Sequence, residues 1–175
     1  MMTTDERIDL FRRTMDAVWH RGELDACDEL YAEHCMFHDP TFPTNGVAGF
    51  KEFAGELRTA QPDLHMDIHD VVASEDMLAY RYTFAATASS EFRGLPATGR
   101  SYVMNGMGMC KWEGDRIVEE WIVYDMLGAL QQVGLIPERI DVDRWFSSEF
   151  SEVVTRSGGK ASSQQRRQSR EGRAS

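Results

Sequence analysis

At Pro62 the apolar residues of this chain change their period, and that change restricts the possible folds more than any other feature of the sequence. Before it, Ile8, Phe11, Met15, Val18 and Trp19 recur at helical spacing, in a segment that opens with a Thr3 to Glu6 capping-box spacing and ends at Gly22. A shorter helix is expected from about Leu24 to Ala32, then a short strand in "CMFHDP" stopped by Pro40, then a loop in "TFPTNG". Val47, Phe50, Phe53 and Leu57 mark one face of a third helix, which the Pro62 region terminates. After Pro62, Leu64, Met66 and Ile68 alternate with His65, Asp67 and His69, as in a half-buried strand. In "MLAYRYTFAATA", Leu78, Tyr80, Tyr82 and Phe84 stand opposite Ala79, Arg81, Thr83 and Ala85. A third strand, "RSYVMNGMGMCKWE", leads through the tight "EGDR" turn into a fourth, "RIVEEWIVYDM". Helices first and consecutive antiparallel strands afterwards predict an α+β domain, with helices packed on one side of a curved sheet. The glycines of "GMGMCKW" suggest a bend or bulge in that sheet.

A length of 175 residues suits one such domain. We expect it over residues 1–135, followed by an extension over 136–155 with a short helix offering Ile140, Trp145, Phe146 and Phe150 for packing. Residues 156–175 are expected to be a disordered basic tail, because almost no apolar side chain is present there to offset the entropy of ordering. The tail carries six basic residues against Glu171 alone, a balance of +5, so the net −10 of the whole chain leaves −15 for Met1 to Thr155. A body that acidic repels phosphate backbones, which argues against a nucleic-acid partner. No run approaches the roughly 18 apolar residues of a membrane helix, and "MMTTDERIDLF" lacks the pattern of a secretory signal, so a cytoplasmic protein without a membrane partner is expected. Cys27, Cys35 and Cys110 form no CxxC pair and read as reduced, structural thiols.

Candidate chemistry gathers at strand ends. Alternation along the fourth strand points Trp121, Val123 and Asp125 one way and Ile122 and Tyr124 the other. Asp125 thereby shares a face with apolar side chains, and a desolvated carboxylate with a raised pKa suits a general base that later acts as an acid. Equally, Asp125 suits the N-cap of the short helix "MLGALQQVG" that follows. His38 can donate or accept a hydrogen bond and Asp39 stands beside it to orient it or to line the same cavity, in a motif that also fits a plain surface turn before Pro40. Arg81 and Asn105 interrupt otherwise apolar strands and would place donors in a cavity, although Arg81 fits a cross-sheet pair with an acid as well. Asp39, Arg81, Asn105, Trp121 and Trp19 are the candidate substrate contacts, and Asp125 and His38 the candidate catalytic pair. No HExxH or similar ligand pattern occurs, so no metal is expected.

The succession of "PDL", "RYT", "GLPATG", "GDRIVEEW", the Asp four residues after that Trp, and "LQQVG" resembles the SnoaL-like polyketide cyclase family. That family lies within the nuclear transport factor 2-like superfamily, and the resemblance covers most of residues 5–135. It implies a cone: a strongly curved antiparallel sheet, of the cystatin-like α+β barrel kind, wrapped around N-terminal helices and enclosing one deep pocket. It also implies a homodimer or higher oligomer through the outer face of the sheet. The implied activity is a cofactor-free intramolecular aldol closure of a polyketide-like, apolar small molecule, with Asp125 as the acid/base residue. The same cone also serves dehydratases and epoxide hydrolases, in which Asp39, Arg81 and Asp125 would position water, and non-catalytic modules that bind a ligand or only dimerise. Two positions depart from the family pattern: Ala88 stands where many relatives carry a histidine, and Gly108 where an acid is usual.

Overall fold

In the computed structural model, which describes residues 2–139, the first helix begins where its capping box places it. Thr3 Oγ1 accepts from the Glu6 amide and the Glu6 carboxylate accepts from the Thr3 amide at 2.7 Å, so two end amides of helix α1 (Thr4–Asp16) are satisfied. A wider π-helical turn, Ala17–Arg21, continues it, buries Val18 and Trp19, and ends at Gly22 with φ of 74°. After a 3₁₀ turn comes α2 (Cys27–Leu30), and later α3 (Gly46–Ala60), which buries Val47, Phe50, Ala54 and Leu57; of the expected loop "TFPTNG", Thr44 and Asn45 pair with the preceding strand instead and Gly46 opens α3. The helix expected to reach Ala32 stops at Leu30, because Tyr31 already has extended backbone and opens a strand.

Six strands form one curved, unclosed sheet: β1 (Tyr31–His38), β2 (Thr44–Asn45), β3 (His65–Ala73), β4 (Met77–Thr87), β5 (Ser101–Glu113) and β6 (Arg116–Tyr124), in the order β2-β1-β6-β5-β4-β3. The four strands expected after Pro62 pair antiparallel in sequence order. Strand β1 then adds to β6 in parallel, since the chain leaves it through α3 and returns across the whole meander. Helix α4 (Met126–Gln132) follows β6 directly. The fold is therefore the expected α+β arrangement of helices held in the hollow of a curved sheet.

Alternation assigns the two faces. Leu78, Tyr80, Tyr82 and Phe84 of β4, Met104 and Cys110 of β5, and Ile117 of β6 join Leu10, Phe11, Trp19, Phe50 and Leu57 of the helices in one core. Part of the opposite face is also apolar: Val103, Met107, Met109, Trp121 and Val123 of β5 and β6 are large side chains left exposed there. Among the described residues no helix is long and apolar enough to cross a membrane. The extension helix expected within 136–155 falls almost wholly outside the described residues, and the tail at 156–175 falls entirely outside them.

Candidate active site

The hollow between helices and sheet contains a cavity of about 140 Å³, near the roughly 150 Å³ that accommodates a benzene ring. Its walls are aromatic: Trp19 from the π-helical turn, Phe50 and Phe53 from α3, Tyr80 and Tyr82 from β4, and Tyr124 from β6 are among them. Phe42, Phe53 and Phe92 pack against one another at 5.3 to 5.8 Å, Phe92 edge to face with the other two, and the Arg93 guanidinium covers this cluster at 5.4 to 6.0 Å while pairing with Glu56. Among the described residues no lysine, arginine or histidine lines the cavity, whereas two carboxylates, Asp39 and Glu120, do.

Asp39 stands in the turn after β1, half-buried. Its Oδ1 accepts three hydrogen bonds, from the amides of Thr41 (2.8 Å) and Phe42 (2.7 Å) and from the Tyr124 hydroxyl (2.6 Å). Its Oδ2 takes none among the described residues, so one lone-pair edge of a fixed carboxylate is left for a ligand. Burial first, and the hydrogen bond to Asp39 second, push the Tyr124 hydroxyl well above the ordinary phenol range, so it stays protonated.

Glu120 lies deeper, 2% exposed. Tyr80 donates to its Oε1 at 2.5 Å and Tyr31 to its Oε2 at 2.8 Å, so both oxygens are engaged. Burial raises its pKa, and the tyrosine donors oppose that rise by stabilising the ionised form. Elsewhere in the wall, the Tyr102 hydroxyl donates to Gln61 Oε1 at 2.7 Å.

Glycines make room for these tyrosines. Tyr80 faces Gly108 and Tyr82 faces Gly106 across the β4–β5 pair, and a Cβ on either glycine would overlap the neighbouring ring and hydroxyl. The two rings stack at 5.7 Å, each lying across its glycine.

The residues singled out in the sequence divide between two faces. Asp39 and Trp19 line the cavity. Asp125, expected on the buried apolar face, is instead exposed: its Oδ1 caps α4 by accepting from the Gly128 amide at 2.8 Å, and it does not line the cavity. The alternation was read correctly, since Trp121 (38% exposed) and Val123 (64% exposed) share its side of β6; that side is the outer one. His38 is also exposed, bonded to Glu119 at 2.8 Å and stacked on Trp121 at 5.3 Å, so both lie outside the cavity. Arg81 pairs with Asp70 at 2.8 Å and Asn105 accepts from Thr83 at 3.3 Å, each exposed on the outer face rather than supplying a donor to the cavity. Tyr82, Tyr124 and Glu120 also line the cavity and are not among the residues singled out in the sequence. The available signal was the opposite parity of the same strands, which carries Ile122 and Tyr124. Both departures from the family pattern fall on the inner side: Ala88 lines the cavity and Gly108 lies beneath Tyr80.

Among solved structures, a polyketide cyclase by assignment from Acidithiobacillus ferrooxidans is 30% identical, the alignment covering 76% of this chain and 97% of that one, with a TM-score of 0.64. IdmH of Streptomyces antibioticus, also a polyketide cyclase by assignment, is 28% identical over 74% of this chain and 99% of its own, with a TM-score of 0.63. A SnoaL-like polyketide cyclase from Agrobacterium tumefaciens shares the fold, at 23% identity, coverage of 76% and 100%, and a TM-score of 0.63. No curated protein matches the chain. The family model for SnoaL-like polyketide cyclase matches residues 9–133, and the chain belongs to that family.

Proposed function

We propose that the protein catalyses an intramolecular, aldol-type ring closure of an apolar, polyketide-like molecule, with Asp39 as its proton carrier. The observation that carries this reading is the carboxylate of Asp39 on the wall of an aromatic cavity, held in place by three hydrogen bonds to Oδ1 while Oδ2 has no partner among the described residues. Asp39 removes a proton from a carbon flanked by carbonyls, the carbanion attacks a ketone within the same molecule, and the proton returns to the new alkoxide. No oxidation state changes, so the reaction needs no cofactor, and the enclosed geometry supplies orientation. With no cation in the wall among the described residues, an ester enters the cavity at lower cost than a carboxylate. The outer face supports a second part of the proposal: Val103, Met107, Met109, Trp121 and Val123 form the surface through which two copies associate.

Asp125 is the rival proton carrier, on the family resemblance. Turnover of an anthracycline-type polyketide methyl ester by the two asparagine variants separates them. Asp39→Asn is expected to lower kcat on the order of 10²- to 10⁴-fold, with Asp125→Asn close to the unsubstituted protein. A folded Asp39→Asn variant with full turnover, or loss confined to Asp125→Asn, overturns the assignment.

A further inference from the structure

Tyr82 is 4% exposed and lines the cavity, yet its hydroxyl makes no hydrogen bond among the described residues. It is not one of the sealed, unpartnered polar atoms of the interior, which are Arg7 Nε and Trp112 Nε1. A buried residue whose polar atom is unpaired but not sealed must present that atom to the cavity.

The neighbouring tyrosine shows where the hydroxyl is delivered. Tyr80 lies across Gly108 and its hydroxyl reaches β6, where it meets Glu120. Tyr82 lies across Gly106 with its ring stacked on that of Tyr80, so its hydroxyl is carried the same way. Gly106 pairs in turn with Tyr124, which puts Tyr82, Gly106 and Tyr124 in one row across three strands. On β6 the inner face here offers Ile122 and Tyr124, and Tyr124 already donates to Asp39. The register therefore carries the Tyr82 hydroxyl to the Asp39 side of the cavity, where it makes no hydrogen bond among the described residues. Burial, with the nearby carboxylates of Glu120 and Asp39 adding to it, holds this phenol protonated far above neutral pH.

We propose that Tyr82 is the hydrogen-bond donor to the substrate oxygen on which negative charge develops, opposite Asp39. The assignment rests on the reading of Asp39 as proton carrier. When Asp39 takes the proton, the C–H electron pair moves into the adjoining carbonyl and leaves an enolate oxygen, to which Tyr82 donates without transferring its proton. On ring closure the enolate electrons form the new C–C bond, the attacked C=O pair becomes an alkoxide, and Asp39 returns its proton there. A donor aimed where charge develops, inside a wall that excludes water, acts on the transition state more than on the ground state. The glycine at 106 is part of the device, because a side chain there would displace the donor ring.

Substituted phenols of graded acidity are the probe, measured by absorbance titration against the full-length chain carrying Asp39→Asn, which mimics the carboxyl after it has gained a proton. Affinity is expected to rise with phenol acidity, because the phenolate oxygen stands in for the enolate. Adding Tyr82→Phe, which removes one oxygen and leaves the ring, is expected to lower affinity for the most acidic phenol about tenfold to a hundredfold and to flatten the dependence on acidity. Gly106→Ala, with retained folding checked by thermal unfolding, should give the same flattening. Unchanged affinity in a folded Tyr82→Phe variant overturns the donor and leaves the cavity reading standing. Failure of every phenol to bind the Asp39→Asn protein overturns the cavity reading together with the donor, and the turnover comparison of Asp39 with Asp125 reports on the proton carrier separately.

Discussion

A single aspartate illustrates both the reach and the limit of residue-level inference. Alternation along β6 grouped Asp125 with Trp121 and Val123, and the structure keeps that grouping. It failed only in choosing which group faces inward, because apolarity marks the inside only where the outside is polar, and over β5 and β6 both faces of the sheet carry large apolar side chains. The cap was legible, and it yields a prediction: Asp125→Ala should cost about 1 kcal/mol of stability through loss of the bond to the Gly128 amide, read in urea unfolding. No loss would mean that the cap contributes nothing. Glu120 was not legible as a buried acid, since "VEEW" gives no hint that one of two adjacent glutamates enters the core. Its raised pKa makes a pH prediction. Below the ordinary carboxylate value of 4.5 the group is protonated in both states. As pH rises from there the unfolded chain releases its proton first, so the stability Glu120 contributes is lost until the pH passes the folded value. Unfolding free energies of the unsubstituted protein and Glu120→Gln should accordingly diverge from acid towards neutral pH, to the disadvantage of the unsubstituted protein. Parallel curves would show that burial does not dominate at this site.

At the level of elements, boundaries set by local chemistry were readable and pairings set by distant chain were not. The capping box, Gly22 and the Pro62 region delimit α1, its π-helical turn and α3 through interactions within a few residues. By contrast, β1 begins four residues earlier than "CMFHDP" suggests, since Tyr31 is held by Glu120, 89 residues away. The glycines of β5 read in sequence as a bend; in the structure they are the floor on which two tyrosine rings of β4 lie. Gly108→Ala is therefore expected to destabilise by about 1–3 kcal/mol, as overpacking does, by forcing Tyr80 off Glu120. Thermal unfolding of Gly108→Ala alone and combined with Tyr80→Ala tests this, because removing the ring should erase most of the penalty of the added methyl. Strictly additive losses would place the strain elsewhere.

For the whole molecule, the change of period at Pro62 was enough to give the α+β class, the helices in the hollow of the sheet and the meander, because each depends on which side of an element is apolar rather than on exact register. The location of the cavity required the three-dimensional path of β1 into the sheet beside β6, which no local pattern encodes. The exposed apolar face of β5 and β6 is expected to hold two copies together. A Val123→Lys, Met107→Lys double variant should then give the mass of one protomer by light scattering where the unsubstituted chain gives at least two, and equal masses would count against association through this face. The crossing of each tyrosine over a glycine has an evolutionary consequence. Position 106 cannot acquire a side chain while position 82 keeps its ring, and a lone loss of the ring opens a hole in the wall, so single substitutions at either position are penalised. Lineages that vary this wall must change both strands together, and positions 82 and 106 should be inherited as a pair.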